Sequence, residues 1–286
     1  MPYSIHPGTT LGSLQLAVRD LGRAVRFYTR ALGLRVHGEQ GSRVSLGSGE
    51  RVLIDLEESP DASPRAGTAG LYHLALLLPS RFALARALER LLREHAVLEG
   101  FADHLVSEAI YLSDPEGNGI ELYRDRPREG WREPGGELRM GTSALDPDAL
   151  LAEMEGPEPP EAESARLGHV HLEVGDLAAS DCFYLGVLGF QLMMHLGPSA
   201  SFVSAGGYHH HIGYNTWAGH LAPTPQRNVL GLLWFSLLLP GSAALEDVRA
   251  RVRQAGLPWE QDGGTFRLRD PSGIGISLEN GGENGG

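Results

Sequence analysis

The sequence predicts an α+β protein built from four related units of about 50 residues, each in the order strand–helix–strand–strand–strand. Three observations lead to this prediction. One strand–helix pattern occurs twice, a second pattern alternates with it, and a segment rich in proline and acidic residues separates two comparable halves. The chain has 286 residues, of which 42% are hydrophobic, so it is long enough for two domains with cores of their own.

The first pattern is an apolar strand that ends just before an aspartate, at residues 14–18 and again at 170–174. The aspartates, Asp20 and Asp176, predict helix N-caps. Each predicted helix contains a Phe-Tyr pair at the same spacing from its aspartate and ends at a glycine. A glycine at this position favours helix termination.

The second pattern is an apolar strand that ends in proline, at residues 70–79 and 231–240. Helices are predicted to follow at 80–94 and 242–255. Each of these units then ends on an Asp-Pro turn and a final strand. Alternation of apolar and polar residues, as in 51–56, predicts the remaining strands. The four units therefore span residues 10–58, 70–124, 167–215 and 229–280.

The segment 126–166 carries many prolines and acids, which indicates a linker. We expect one short helix in it, around residues 148–155. The predicted domain organisation is a first lobe at residues 1–125, the linker at 126–166 and a second lobe at 167–286.

Composition excludes several function classes. The net charge is −12, which argues against nucleic-acid binding, and all 24 basic residues are arginine, which excludes a lysine Schiff base and a P-loop lysine. No apolar run reaches the length of a membrane span and no secretory signal pattern opens the chain, so we expect a cytoplasmic protein and no membrane partner. The single cysteine, Cys182, excludes an internal disulfide and is expected in the core. Twelve histidines direct attention to metal or acid–base chemistry.

One motif is long enough to indicate a family. His104 is followed after five residues by Ile110 and Tyr111, then by an Asp-Pro turn with Gly117, and finally by Glu121. This motif resembles the signature of the type I extradiol dioxygenases, and only Ala102 departs from it. These enzymes belong to the vicinal-oxygen-chelate superfamily with glyoxalase I and the bleomycin-resistance proteins. The two-lobed bacterial catechol-2,3-dioxygenase group is the most similar. The resemblance implies that the four units form two cupped mixed sheets.

The resemblance also implies a metal site. Ligands in this superfamily lie on the first strand of a unit, on the first strand of its partner unit and on a final strand. The first-strand positions here are Ser13, His73, His169 and Trp234, and the final-strand positions include Glu121 and Ser277. Only units two and three keep ligands, so the predicted set is His73, His169 and Glu121. Two histidines and one carboxylate suit Fe(II), which the family favours, and also Mn(II).

A single ion needs its ligands within about 2.0–2.2 Å of one point. We therefore expect units two and three to share one sheet, and units one and four to form a second, metal-free one.

By resemblance, Tyr111 and His104 would act on the metal-bound catecholate. A further histidine would assist O2 activation, and we favour His210 from the run His209–His211, for which we expect alternating strand faces. His171 would support the metal ligands without binding the metal itself. The predicted substrates are a catechol-type small molecule and O2, bound in an apolar cup to which Trp217 and Tyr214 contribute. Lobes of this kind often associate, so a homo-oligomer is compatible with the sequence.

Two other function classes compete with this prediction. A glyoxalase-type lyase or isomerase would use four protein ligands, including a second carboxylate or a glutamine, but unit three offers histidines where that carboxylate would stand. A metal-free binding or resistance protein would lack the ligand set that units two and three retain.

Overall fold

The computed structural model describes residues 3–156, 164–226, 228–263 and 265–282, and in these ranges it contains four strand–helix–strand–strand–strand repeats. The first repeat comprises β1 (Thr10–Val18), α1 (Leu21–Arg30), β2 (Arg35–Gln40), β3 (Arg43–Ser48) and β4 (Arg51–Glu58). The second comprises β5 (Gly70–Leu77), α2 (Arg81–Arg93), β6 (Leu98–Asp103), β7 (Ser107–Ser113) and β8 (Gly119–Asp125). The segment after it contains β9 (Ser143–Ala144) and α3 (Pro147–Leu151).

The third repeat comprises β10 (Arg166–Glu173), α4 (Leu177–Asp181), β11 (Gln191–Leu196), β12 (Ala200–Ser204) and β13 (Ile212–Asn215). The fourth comprises β14 (Gly231–Leu239), α5 (Gly241–Gln254), β15 (Trp259–Asp262), β16 (Thr265–Arg269) and β17 (Gly275–Asn280). The four predicted repeats and their α+β class are confirmed.

The predicted helix caps form as expected. The carboxylate of Asp20 accepts a hydrogen bond from the backbone N–H of Arg23, and that of Asp176 accepts one from Ala179. One helix differs from the prediction, because α4 is five residues long and continues as a π-helical segment at Cys182–Val187. The side chain of Cys182 is exposed there, so the prediction that it belongs to the core is wrong.

The strands form two mixed sheets. The nine-stranded sheet has the order β11-β12-β13-β10-β5-β8-β7-β6-β9, and the eight-stranded sheet has the order β15-β16-β17-β14-β1-β4-β3-β2. Repeats two and three thus contribute to one sheet and repeats one and four to the other, which confirms the pairing predicted from the distribution of ligand residues. Within the second, third and fourth repeats the first strand runs parallel to the last.

The chain divides into two compact units, each with a buried tyrosine–aspartate link. One unit comprises Val18–Pro60 and His73–Gly168, and in it the Tyr28 hydroxyl donates to the Asp114 carboxylate at 2.8 Å. The other comprises the chain up to Ala17, Asp61–Tyr72 and the chain from His169 onward. In this unit the Tyr184 hydroxyl donates to the Asp270 carboxylate at 3.0 Å. Each tyrosine belongs to a repeated Phe-Tyr pair and each aspartate to a repeated Asp-Pro turn. The lobe boundaries at residues 125 and 167 stay a prediction.

The segment predicted as a linker holds more structure than expected. The short helix is present as α3, followed by a 3₁₀ turn at Ala152–Glu155. In addition, β9 pairs antiparallel with β6 and extends the sheet by one short strand. Among the described residues, no helix is long and apolar enough to cross a membrane.

Candidate metal centre

Two of the predicted ligands lie on adjacent parallel strands. His73 on β5 is paired with Gly119 on β8, and Glu121 lies two residues further along β8, so the two side chains point from the same face of the sheet. The Nε2 atom of His73 is 3.1 Å from an Oε2 of Glu121. Both residues are buried, with 6% and 3% of their surface exposed.

The third predicted ligand, His169 on β10, is 1% exposed. One ligand atom each from His73, Glu121 and His169 can be chosen so that all three atoms lie within 4.8 Å of one another. A buried carboxylate is costly in free energy unless a cation or hydrogen-bond donors compensate its charge. Two imidazoles and one carboxylate form a donor set that suits a divalent transition metal.

Tyr111 stands next to this pair of ligands on β7. It is paired directly with Glu121 across the β7–β8 ladder, and its ring centroid is 5.8 Å from that of His73. The Tyr111 hydroxyl is 2.7 Å from Nε2 of His104. His104 lies in the turn between β6 and β7, where Leu105 adopts a left-handed conformation with φ of 68°. The turn therefore directs His104 back toward the strand that carries Tyr111.

The predicted linker supplies two contacts to His104 that the sequence did not reveal. Nδ1 of His104 is 3.0 Å from the carbonyl oxygen of Gly141 and 3.2 Å from the Thr142 hydroxyl. Pairing of β9 with β6 brings these residues beside the turn. A carbonyl oxygen can only accept, so Nδ1 carries a proton, and Nε2 of the neutral ring accepts from the Tyr111 hydroxyl. No pattern in the sequence indicates this role, because the strand that positions these residues is only two residues long.

The histidine run lies in a bent segment before β13, so the expected strand alternation is wrong. His211 holds this segment, since its backbone N–H donates to Val203 and its Nδ1 accepts from the Ala205 N–H. His210 is directed toward the ligand strand, and its ring centroid is 4.1 Å from that of His169. His209 is close as well, with its Nδ1 atom 2.8 Å from that of His210.

Two predicted cup residues differ in their surroundings. Trp217 is half exposed and its ring lies 5.4 Å from that of His171, whose Nε2 atom contacts the Asn215 amide at 2.9 Å. Tyr214 is fully buried and its hydroxyl donates to Asp181 at 2.6 Å, so we assign it to the core rather than to a binding surface. Burial and this hydrogen bond raise the pKa of Tyr214 well above its usual value.

Comparison of the sequence with known proteins shows the family to which the chain is related. The family described as the glyoxalase/bleomycin resistance protein/dioxygenase superfamily matches residues 10–122. A catechol-2,3-dioxygenase of Bacillus subtilis (strain 168) is 45% identical to this chain over 275 residues, which cover 94% of this chain and 96% of that protein.

Solved structures share the fold. A Bacillus subtilis protein assigned as a dioxygenase superposes with a TM-score of 0.65 at 14% identity, covering 99% of this chain and 87% of that one. Glyoxalase I from Zea mays superposes with a TM-score of 0.59 at 16% identity, covering 96% and 92%. At these identities the likeness concerns the fold alone.

Proposed function

The chain belongs to the glyoxalase/bleomycin resistance protein/dioxygenase superfamily, and on that premise we propose that it is a metal-dependent extradiol dioxygenase that cleaves the ring of a catechol-type substrate with O2. The observation that carries the proposal is the set of buried ligand atoms of His73, Glu121 and His169, all within 4.8 Å of one another. The 45% identity to a catechol-2,3-dioxygenase supports the same reaction class. We also propose a cytoplasmic location, in keeping with the single cysteine.

The three side chains fit a divalent metal, and we propose that they hold Fe(II), with Mn(II) as the other ion that suits them. The carboxylate of Glu121 offsets one positive charge and the two imidazoles contribute neutral nitrogen donors. Three protein ligands leave further coordination positions for small molecules. When bound, such a metal would bring a catechol and O2 together and would pass electrons from the catechol to O2.

The chain's own residues supply the proton transfer. Because Gly141 accepts from Nδ1 of His104, the Nε2 atom of that ring is the one that can take up a proton from Tyr111. The Tyr111 oxygen can in turn accept the proton of a catechol hydroxyl. One proton thus moves from the substrate oxygen to Tyr111 while the Tyr111 proton moves to His104, and the catecholate gains the charge that favours metal binding.

We assign His210 as a third catalytic residue. It is buried beside His169, and its Nδ1 atom shares a hydrogen bond with that of His209, so one ring donates and the other accepts. The ring of His210 is thereby held beside the ligand strand, and there we propose that it takes up or releases a proton. A substitution of His210 by Asn is expected to lower kcat by about 100-fold, the usual contribution of a positioned acid or base, without loss of metal.

Metal content of three single variants tests the ligand set. His73→Ala, Glu121→Ala and His169→Ala are each expected to lower bound iron or manganese from about one ion per chain to a small fraction, because each removes one of three protein ligands. Elemental analysis of freshly purified protein measures this. The protein is then loaded with Fe(II), and ring cleavage of catechol is followed as oxygen uptake and as formation of the yellow product.

His220→Ala is the matched control, since His220 is exposed and outside the site. It is expected to keep both metal and activity. Metal that persists at full occupancy in all three ligand variants would refute the ligand assignment. Metal-loaded protein that consumes no O2 with catechol would refute the proposed reaction while leaving the metal site intact.

A further inference from the structure

A cavity of about 820 Å³ lies against the fourth repeat, away from the proposed metal ligands in sequence and lined within a single compact unit. Its lining combines aromatic, aliphatic and cationic side chains, among them Trp234, Trp259, Leu232, Ile274, Arg267 and Arg269. We propose that this cavity, here named the Trp234 cavity, binds a planar aromatic carboxylate. The proposal stands apart from the dioxygenase activity.

The strand register explains why this cavity differs from the metal centre. In the second repeat the first and last strands pair His73 with Gly119, and Ala75 with Glu121. The corresponding strands of the fourth repeat pair Trp234 with Gly275, and Ser236 with Ser277. Trp234 therefore stands where His73 stands, and Ser277 stands where Glu121 stands. An indole N–H is a donor only and cannot ligate a metal. The same backbone geometry here presents an aromatic surface instead of a ligand.

Gly275 allows the Trp234 ring to lie across β17. A Cβ atom at Gly275 would stand 2.5 Å from the Cε3 atom of Trp234, which is closer than nonbonded atoms can approach. Two guanidinium groups from β16 lie over the indole, those of Arg269 and Arg267, at 4.5 Å and 4.9 Å from the ring centroid. Cation–π contacts of this kind orient both guanidinium groups at the cavity.

The charge of the lining matches a monoanion. Arg65 also lines the cavity and forms an ion pair with Glu173 at 2.6 Å. Arg267 and Arg269 contribute two formal positive charges to the lining and Glu260 contributes one negative charge. Arg269 donates one N–H to the Gly273 carbonyl at 2.8 Å, and a guanidinium has five donors, so it can still bind a carboxylate. This cationic lining occurs in a chain whose net charge is −12.

The rest of the lining favours a flat apolar body for the ligand. Trp259 is 43% exposed and stacks on Phe266, with ring centroids 4.8 Å apart and an interplanar angle of 13°. Leu232 and Ile274 add aliphatic surface. An aromatic ring can pack on these groups while its carboxylate meets the planar guanidinium fork in a bidentate arrangement.

Isothermal titration with benzoate tests the proposal, with benzyl alcohol as the uncharged analogue. We expect saturable binding of benzoate and at least about tenfold weaker binding of benzyl alcohol, since a charge-assisted hydrogen bond is lost. Arg269→Gln and Trp234→Leu are each expected to weaken benzoate binding about tenfold or more. Arg43→Gln, which removes an exposed arginine on β3, is the matched control and is expected to bind benzoate as the unchanged protein does.

A carboxylate can also bind a metal centre, so the titration is repeated with Glu121→Gln. Unchanged benzoate affinity in that variant is expected and locates binding outside the metal site. Benzoate binding that disappears in Glu121→Gln but persists in Arg269→Gln would overturn the proposal. Equal affinity for benzoate and benzyl alcohol, or a benzoate titration that does not saturate, would also overturn it. Thermal unfolding of each variant checks folding, and Arg267→Gln replaces Arg269→Gln if the latter is unstable.

Discussion

Tyr111 and His104 show how one hairpin positions the two residues of the proposed proton transfer. Tyr111 faces Glu121 across the β7–β8 ladder, and its hydroxyl lies 2.7 Å from Nε2 of His104. The backbone carbonyl of Gly141 determines which nitrogen of His104 carries the proton, because it can only accept. The direction of proton movement proposed for the reaction follows from this one contact.

Replacement of Tyr111 by Phe tests the pair at the residue scale. The ring is retained and the hydroxyl is lost, so we expect kcat for catechol cleavage to fall by about 100-fold or more, with metal content unchanged. His104→Asn should give a similar loss, and the double variant should be little worse than either single one, because both act on the same proton. Steady-state oxygen uptake on metal-loaded protein measures this. Additive losses in the double variant would show that the two residues act separately.

At the scale of elements, a strand of two residues has a role larger than its length. β9 pairs Ser143 and Ala144 with β6, and this pairing carries Gly141 and Thr142 to His104. The segment that contains β9 is rich in proline and polar residues and has little hydrophobic periodicity. Its position therefore depends on the edge of a sheet formed by other residues.

Thr142→Val tests this contact. The variant loses the hydroxyl that lies 3.2 Å from Nδ1 of His104 but keeps the Gly141 carbonyl, so we expect a kcat loss of about three- to tenfold, which corresponds to one neutral hydrogen bond. Thr142→Ser restores the hydroxyl and is expected to restore kcat. A serine variant as slow as the valine variant would exclude the hydroxyl as a positioning group and indicate a packing effect.

For the whole molecule, burial of the aspartate Asp270 couples stability to pH. Burial raises the pKa of Asp270 to about 6, although backbone N–H groups and the Tyr184 hydroxyl partly oppose this rise. An aspartate in an unfolded chain has a pKa of about 3.9. Between these pH values the folded protein binds more protons than the unfolded chain, so the stabilising contribution is present below pH 4 and is lost as pH rises through 6.

Ionisation of Asp270 is expected to lower the free energy of unfolding by at most about 3 kcal/mol between pH 4 and pH 6. This value follows from about 1.4 kcal/mol for each unit by which its pKa differs between the folded and unfolded states. Asp270→Asn cannot ionise and should show a smaller fall over this range. Denaturant unfolding at several pH values measures the slope, with the exposed Asp148→Asn as control. An identical slope in Asp270→Asn and the unchanged protein would contradict the assignment.

The pairing of repeats in the two sheets was predicted from the resemblance to a family whose ligand positions only repeats two and three keep. The four repeats and the helix caps could be predicted from the sequence itself. These features depend on neighbouring residues and on spacings that recur along the chain, such as the aspartate before each Phe-Tyr pair. The candidate ligands His73, Glu121 and His169 were predicted from the ligand positions of that family, which the repeats locate in this chain. The structure brings their ligand atoms within 4.8 Å of one another.

The orientation of the groups around these positions depends on the three-dimensional fold. The bend that turns His210 toward His169, the contact of Gly141 with His104, and the two guanidinium groups over Trp234 all join residues that no local pattern relates. Side-chain orientation in such places depends on sheet pairing and packing between distant segments, and a periodic pattern describes only the segment in which it occurs.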